Sequence, residues 1–385
     1  VTTVWVAGEL ATIVGMILLA TRRPVSQPLF RWLPVPLWCY ALPIAAVALG
    51  WLPRHDPAYR SLTESLLPVA LGLLLLGTDL PAVIRSGSQA LLAMIIGSAG
   101  VMVGAPLGVW LLRTHLPPDA WKGAGSLAAT WTGGTMNLLA LRSVFETPDR
   151  IFAPLIIVDA LTAYSWMALL VALSGAQGPI NRWLGASNVT RASASQISGA
   201  SSATRSPWAS RLGCALLILV LVGTMRVLAE HLPLTRLVSS TSGWTVLLVT
   251  TVTLLLSLLP RVRHLGCYGS QLGYPCLYVV LAATGAQASL EALWAAPTWL
   301  LVGVITVLVH GLVLVSAGRF FRWPLGMLAT VSQADIGGVV SAPLVGAVYH
   351  QDLVPVGLLL AVAANAVGTY LGLLSALLAH VMIGH

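Results

Sequence analysis

Apolar positions in this chain fall in long, nearly unbroken runs rather than in the one-sided stripes of a soluble helix. A helix that crosses a bilayer needs about 20 mainly apolar residues. On that rule the runs predict spans near 4–20, 36–52, 64–80, 88–112, 122–142, 151–174, 209–228, 242–260, 272–290, 295–317, 323–345 and 353–379. The expected fold is an all-α polytopic membrane protein with about 10 to 13 transmembrane helices. The first run holds Glu9 and follows no basic segment, so it reads as a spanning helix and not as a cleavable leader. Polar sequence gathers from Gly175 to Ser210, rich in Ser, Ala, Thr and Arg, and reads as a surface linker over 175–208. It divides the chain into an N-terminal repeat, 1–174, and a C-terminal repeat, 209–385.

The two repeats echo each other. Gly72-Leu-Leu-Leu-Leu-Gly77-Thr78-Asp79-Leu80 closes the third run, and Ala282-Ala283-Thr284-Gly285-Ala286 closes the ninth. A long apolar run follows each, and then a run interrupted by paired glycines. These are Thr130-Trp-Thr-Gly133-Gly134-Thr-Met-Asn137 and Ser332-Gln333-Ala-Asp335-Ile-Gly337-Gly338. The last run of each repeat carries a polar residue, Asp159 or Asn365. Thr78 and Thr284 stand 206 residues apart and the glycine pairs 204 apart, an offset too constant for chance low-complexity similarity. An inverted duplication needs an odd number of crossings per copy, whereas these runs number six and six.

Composition narrows the function. The chain is 57% hydrophobic and only 8% charged, against roughly 25% charged in soluble domains, so it has no surface to spare for water. Its net charge of +8 is spread as short Arg groups between apolar runs, as positive-inside anchoring requires, and forms no concentrated nucleic-acid-binding face. A cytoplasmic linker, Arg261–His264 and Arg319–Arg322 make the second repeat consistent but leave Arg22, Arg23 and Arg31 outside. Cys39, Cys214, Cys267 and Cys276 lack zinc spacing and read as small packing residues. No nucleophile elbow, Walker loop or zinc-protease motif is present, so no enzymatic activity is expected.

Ionisable and polar groups inside apolar runs are scarce, and each is a functional candidate because burial in lipid costs about 2.5–3.5 kcal/mol on insertion scales. Paired glycines beside polar side chains loosen a helix and free backbone groups for a cation or an anion; close packing through small residues is the plainer alternative. The candidates are Thr132, Gly133, Gly134, Thr135 and Asn137 at the first break, and Ser332, Gln333, Asp335, Gly337, Gly338 and Ser341 at the second. Asp159, with Thr162 one turn on, is a candidate sodium ligand or proton carrier, as is Asp335; Asn365 stands in the matching run. Asp79, Thr284 and Lys122 are secondary candidates, and helix capping or interfacial placement explains Asp79 equally well. His310 reads as a satisfied packing histidine, and Glu9 as a residue facing the interface or a partner helix.

Several stretches together resemble the DUF819 family of bacterial membrane proteins. They are Leu75-Leu-Gly-Thr-Asp79-Leu80, Ala129-Thr-Trp-Thr-Gly133-Gly134-Thr-Met-Asn137, Val158-Asp159-Ala and, above all, Ser332-Gln-Ala-Asp335-Ile-Gly337-Gly338-Val-Val-Ser-Ala342-Pro343. Val354-Pro-Val-Gly357 and Gly368-Thr-Tyr-Leu-Gly372 extend the resemblance. The resemblance implies Asn at the position of Asp335, which makes this carboxylate less safe to carry over as a family ligand. The resemblance extends distantly to glutamate–sodium and bile-acid–sodium symporters and to cation–proton antiporters. It implies inverted repeats with crossed discontinuous helices, scaffold helices over 1–60 and 209–265, core helices over 61–174 and 266–385, and a homodimer in the bacterial cytoplasmic (inner) membrane.

The resulting expectation is a secondary active transporter in the lipid bilayer. It would move a small polar or anionic solute by alternating access, coupled to sodium or protons, with no cofactor beyond a bound sodium ion and no nucleic-acid partner. The alternative is a cation–proton antiporter using Asp159 and Asp335. An intramembrane aspartyl protease built on the same pair is the remote one.

Overall fold

The computed structural model describes residues 2–24, 30, 35–54, 56–79, 88–186, 207–235, 238, 240–287 and 296–383. Each predicted apolar run coincides with one helix or with a broken pair. The first half contains α1 (Thr2–Thr21), α2 (Val35–Ala48), α3 (Pro57–Leu76), α4 (Ser88–Leu111), α5 (Ala120–Trp131), α6 (Thr135–Phe145), α7 (Asp149–Leu173) and the short α8 (Gln177–Leu184). The second contains α9 (Pro207–Ala229), α10 (Thr241–Ser257), the short α11 (Pro260–Leu265), α12 (Gly269–Gln287), α13 (Ala296–Phe321), α14 (Leu325–Ile336), α15 (Gly338–Tyr349) and α16 (Leu353–Ile383). Seven helices among the described residues are long and apolar enough to cross a membrane, which makes the chain a polytopic all-α membrane protein.

The duplication is visible in the helix starts. Thr2 matches Pro207, Val35 matches Thr241, Pro57 matches Gly269, and Ser88 matches Ala296. Ala120 then matches Leu325, Thr135 matches Gly338, and Asp149 matches Leu353. Both breaks turn on a glycine in the left-handed region, Gly134 at φ 74° and Gly338 at φ 78°, where a side chain would be strained.

The helices sort into two compact units. The first holds α1–α3, α6 from Leu139, α7 as far as Ala160, and α9–α12. The second holds α4, α5, the start of α6, α7 from Leu161, α8, and α13 from Thr298 through α16. Each unit therefore draws helices from both repeats.

Within each unit an equivalent pair of helices is packed through glycine. Lipid gives helices no hydrophobic reason to associate, so close van der Waals approach through small residues does the work. In the second unit a Cβ added at Gly100 of α4 would lie 2.9 Å from His310 Cα, and at Gly104 it would lie 2.9 Å from Thr306 Cα. At Gly108 it would lie 3.1 Å from Val302 Cγ1. Numbers rise on α4 as they fall on α13, so the two run antiparallel. In the first unit Gly273 of α12 meets Ala70 of α3, Gly269 meets Leu73, and Gly266 meets Gly77, again antiparallel. An operator that carries α3 onto α12, or α4 onto α13, must reverse chain direction, which is the mark of an inverted repeat.

The run expected at 323–345 is folded as two arms, α14 and α15. They fold back on each other: a Cβ at Gly326 would lie 2.9 Å from Tyr349 Cβ, and near the tip Gln333 Nε2 donates to Ser341 Oγ at 2.9 Å. Each arm has 12 residues, about 18 Å at 1.5 Å per residue, against a hydrocarbon core of about 30 Å. The expected span at 323–345 is thus a helical hairpin whose arms are each too short to cross. Even spacing of apolar residues carries no information on where the chain turns back, so hydropathy could not separate a hairpin from a crossing.

Residues 177–184, counted into the linker, form α8, which ends at Gly185 with φ 68°. Residues 187–206 of that linker, like Arg31, lie outside the described residues. The buried Asn181 of α8 accepts from Leu325 N at 2.8 Å through its side-chain oxygen, so it satisfies an amide at the start of α14. Replacing Asn181 by Ala should cost about 1 kcal/mol, the usual worth of a cap, and lower the thermal midpoint of the purified protein.

Candidate functional site

Every residue of α14 from Leu325 to Ile336 is buried, although the helix carries Ser332, Gln333 and Asp335. A helix enclosed on all sides has no water for these groups, so their partners must come from neighbouring helices. Ser332 and Asp335 are three residues apart and share a face. Asp335, 1% exposed, accepts from Ser98 Oγ of α4 at 2.9 Å through Oδ1. Its Oδ2 has no hydrogen-bond partner.

Beside Asp335 stands His310 of α13, fully enclosed. Its Nδ1 lies 2.8 Å from Gly97 O and its Nε2 lies 2.8 Å from Ser332 Oγ. A carbonyl can only accept, so Nδ1 carries the hydrogen, and in the neutral ring Nε2 accepts from the Ser332 hydroxyl. Ser332 Oγ in turn accepts from the Trp166 indole N–H of α7 at 2.8 Å. The Trp166 ring stands edge-on to the imidazole, with centroids 6.3 Å apart. The result is one directed chain, Trp166 to Ser332 to His310 to the Gly97 carbonyl. A Cβ added at Gly97 would lie 2.6 Å from Asp335 Oδ2 and 3.0 Å from His310 Cε1, so carboxylate and imidazole converge on the same point against α4.

The first break is built differently. Asn137 Nδ2 donates to Gly133 O and, at 3.1 Å, to Asn365 O of α16, while Asn137 Oδ1 accepts from Thr369 Oγ1. Gly133 lies against Gly368, where an added Cβ would be 2.7 Å from Gly368 Cα. Thr132 donates back to Ala128 O at 2.7 Å. Both donors of Asn137 are engaged within the protein, so its amide ties the break to α16. Asn137→Ala is expected to destabilise the protein by about 2 kcal/mol, through orphaned buried partners. It should leave ion-dependent stabilisation in place; both effects can be read in one thermal-unfolding series with and without the ion.

The remaining candidates are dispersed. Gln333, Ser341 and Gly337 meet at the hairpin tip, where Gln333 Oε1 has no hydrogen-bond partner and the Gly337 Cα faces both side chains. Gly134 and Gly338 supply the left-handed turns, and Thr135 opens α6. Thr162 is buried with an unpartnered hydroxyl. Asp159 and Thr284 belong to the first unit, and Thr284 also has an unpartnered hydroxyl. Asp79 and Asn365 are half-buried, and Lys122 lies over the Trp121 ring at 5.6 Å.

Sequence reasoning passed over Gly97, Ser98, Trp166 and Thr369, and treated His310 as packing alone. Trp166 offered a signal: Trp is usual at the ends of membrane helices, whereas this one lies inside an apolar run where its N–H needs a partner. The glycine spacing from Gly97 to Gly108 was another.

The family model described as "Protein of unknown function (DUF819)" matches residues 8–382. The chain is also similar to a protein of Bacillus subtilis (strain 168) described as "Uncharacterized membrane protein YjcL". The two are 24% identical over 362 residues, covering 87% of this chain and 90% of that protein. With the match running through both repeats, both helix breaks and the Asp335 cluster, this chain belongs to the DUF819 family.

Proposed function

We propose that this chain is a cation-coupled secondary transporter that moves a small polar or anionic solute by alternating access, with no catalysed reaction and no cofactor. The observation that carries this reading is Asp335, a carboxylic group 1% exposed, with one oxygen unpartnered, three residues before the left-handed Gly338 at the tip of a helical hairpin. Ionisable groups buried in membrane helices mark ion and proton paths. Inverted repeats with half-length helices are the usual frame for such sites, because two copies of opposite direction can exchange roles between inward- and outward-facing states. The N-terminus of α6 at Thr135 and that of α15 at Gly338 would favour negative charge on the solute.

The test is uptake by proteoliposomes of a panel of small carboxylates and neutral polar solutes, under imposed sodium or proton gradients. Saturable accumulation that needs a gradient supports the reading. Cation flux that drives a pH change with no solute present would replace it with the antiporter. Absence of both would remove the transport reading.

A further inference from the structure

We propose that Asp335 and His310 form a proton-binding pair, and that Ser332 passes the charge state of His310 to Trp166 on α7. As a statement about coupling, this rests on the transporter reading and names its ion as the proton; as a statement about a site, it stands without transport.

The surroundings of Asp335 Oδ2 favour a proton over a metal cation. A hard cation needs several oxygen ligands around it. Beside Oδ2 the structure places the Gly97 Cα and the His310 Cε1 edge, both within 3.0 Å of a single point. The neighbouring hydroxyl, Ser98 Oγ, is engaged with the other oxygen, Oδ1. A proton needs only a lone pair. Among the described residues of this unit, His310 of α13 is the ionisable side chain that meets the same point as this carboxyl, while Tyr164 of α7 and Tyr370 of α16 are half-buried phenols and Arg319 of α13 is exposed. Lys122 of α5 lies over Trp121, Arg182 of α8 is exposed, and Tyr349 of α15 donates to Leu170 O. His380 of α16 packs on Trp121, and α4 carries no ionisable side chain.

The proton count is simple. With one proton on Asp335 Oδ2 and a neutral imidazole, the pair has no net charge. Release of that proton to water leaves one negative charge in the core; a second proton, taken from water onto His310 Nε2, leaves one positive charge. Protonated Nε2 becomes a donor, so the Ser332 hydroxyl can no longer donate to it. The hydroxyl then turns to the carbonyl one helical turn back, that of Leu328, as serine in a helix can do. Ser332 Oγ is left accepting from His310 and Trp166 at once. Two donors now share one oxygen, and the Trp166 bond weakens. Charge on the pair is thereby read by α7 without any displaced backbone.

The experiment is pH-difference infrared spectroscopy of the purified full chain in nanodiscs, in choline or sodium salts of equal ionic strength. A carboxylic acid C=O band should grow as pH falls, vanish in Asp335→Asn, and keep its midpoint when sodium replaces choline. In His310→Gln the midpoint should move by about tenfold in proton concentration or more, one pH unit. Ser98→Ala, which removes the Oδ1 donor, serves the same purpose if His310→Gln does not fold. The pH-dependent part of the Trp emission should be lost in Trp166→Phe. A band that persists in Asp335→Asn, a midpoint displaced by sodium, or a midpoint fixed in both other variants overturns the proton pair; emission unchanged in Trp166→Phe overturns the Ser332 relay. A normal titration in protein that transports nothing would sink the transporter reading and leave the pair intact. Sodium-driven uptake without the band would do the reverse.

Discussion

Asp335→Asn is expected to reduce gradient-driven uptake by about 100-fold or more, the scale on which losing an essential proton-transfer group acts, while the protein still folds. The amide has the volume of the carboxyl, and its oxygen can keep the 2.9 Å bond from Ser98. What it cannot do is gain or lose a proton or balance a cation. Stability should change by no more than about 1–2 kcal/mol, since the substitution removes a carboxyl with an unpartnered oxygen but adds amide hydrogens in the same enclosed place. Parallel uptake and thermal-unfolding measurements separate the two effects. Uptake equal to that of the unaltered protein would show that Asp335 takes no part in coupling.

The largest stability effect is expected from Gly269→Ala. A Cβ there would run into Leu73 O of α3, and the obstacle is backbone, which cannot swing aside. Overpacking of this kind costs about 1–3 kcal/mol, with more where neither helix can retreat. The thermal midpoint and the yield of folded protein should both fall. Gly8 and Gly223, by contrast, have open space where a Cβ would be added. Gly8→Ala and Gly223→Ala should raise stability by about 0.5–1 kcal/mol, because alanine is the better helix former. The same chemical change is thus predicted to have opposite signs, decided by packing alone. Equal effects at Gly269 and Gly8 would mean that the α3–α12 contact is not as close as described.

How much of this was legible beforehand follows from what a membrane imposes. Lipid demands long apolar runs and internally satisfied backbone, so the helices, the two breaks and the duplication were written into local composition. Direction was not: nothing in residues 323–345 says that the chain turns back at Gly337 and Gly338. Helix α8 was hidden because Gly175, Pro179 and the polar residues after it resemble linker. The candidate residues came from side-chain type, and type does not report partners. Asn137 was chosen because an amide in mid-membrane can bind an ion, but its amide hydrogens are engaged by Gly133 O and Asn365 O. Asp335 was chosen as an acid inside an apolar run and is buried, yet its partner Ser98, which lies 237 residues away in the chain, is known only from the fold. His310 was read as a satisfied histidine, and both its ring nitrogens are indeed engaged, by Gly97 O and Ser332 Oγ; the carboxyl that meets it at Gly97 is visible only in the fold.

The antiparallel glycine seam also sets an order of assembly. Gly97 and His310 are separated by 213 positions, and ribosomes add roughly 5–20 residues per second. When α4 enters the membrane, its seam partner is therefore roughly 10–40 seconds from being made. Over that interval Gly97, Gly100, Gly104 and Gly108 lack the surface they will finally pack against. Assembly of the two glycine seams is thus necessarily late: α3 and α4 must wait for counterparts encoded in the second half of the message.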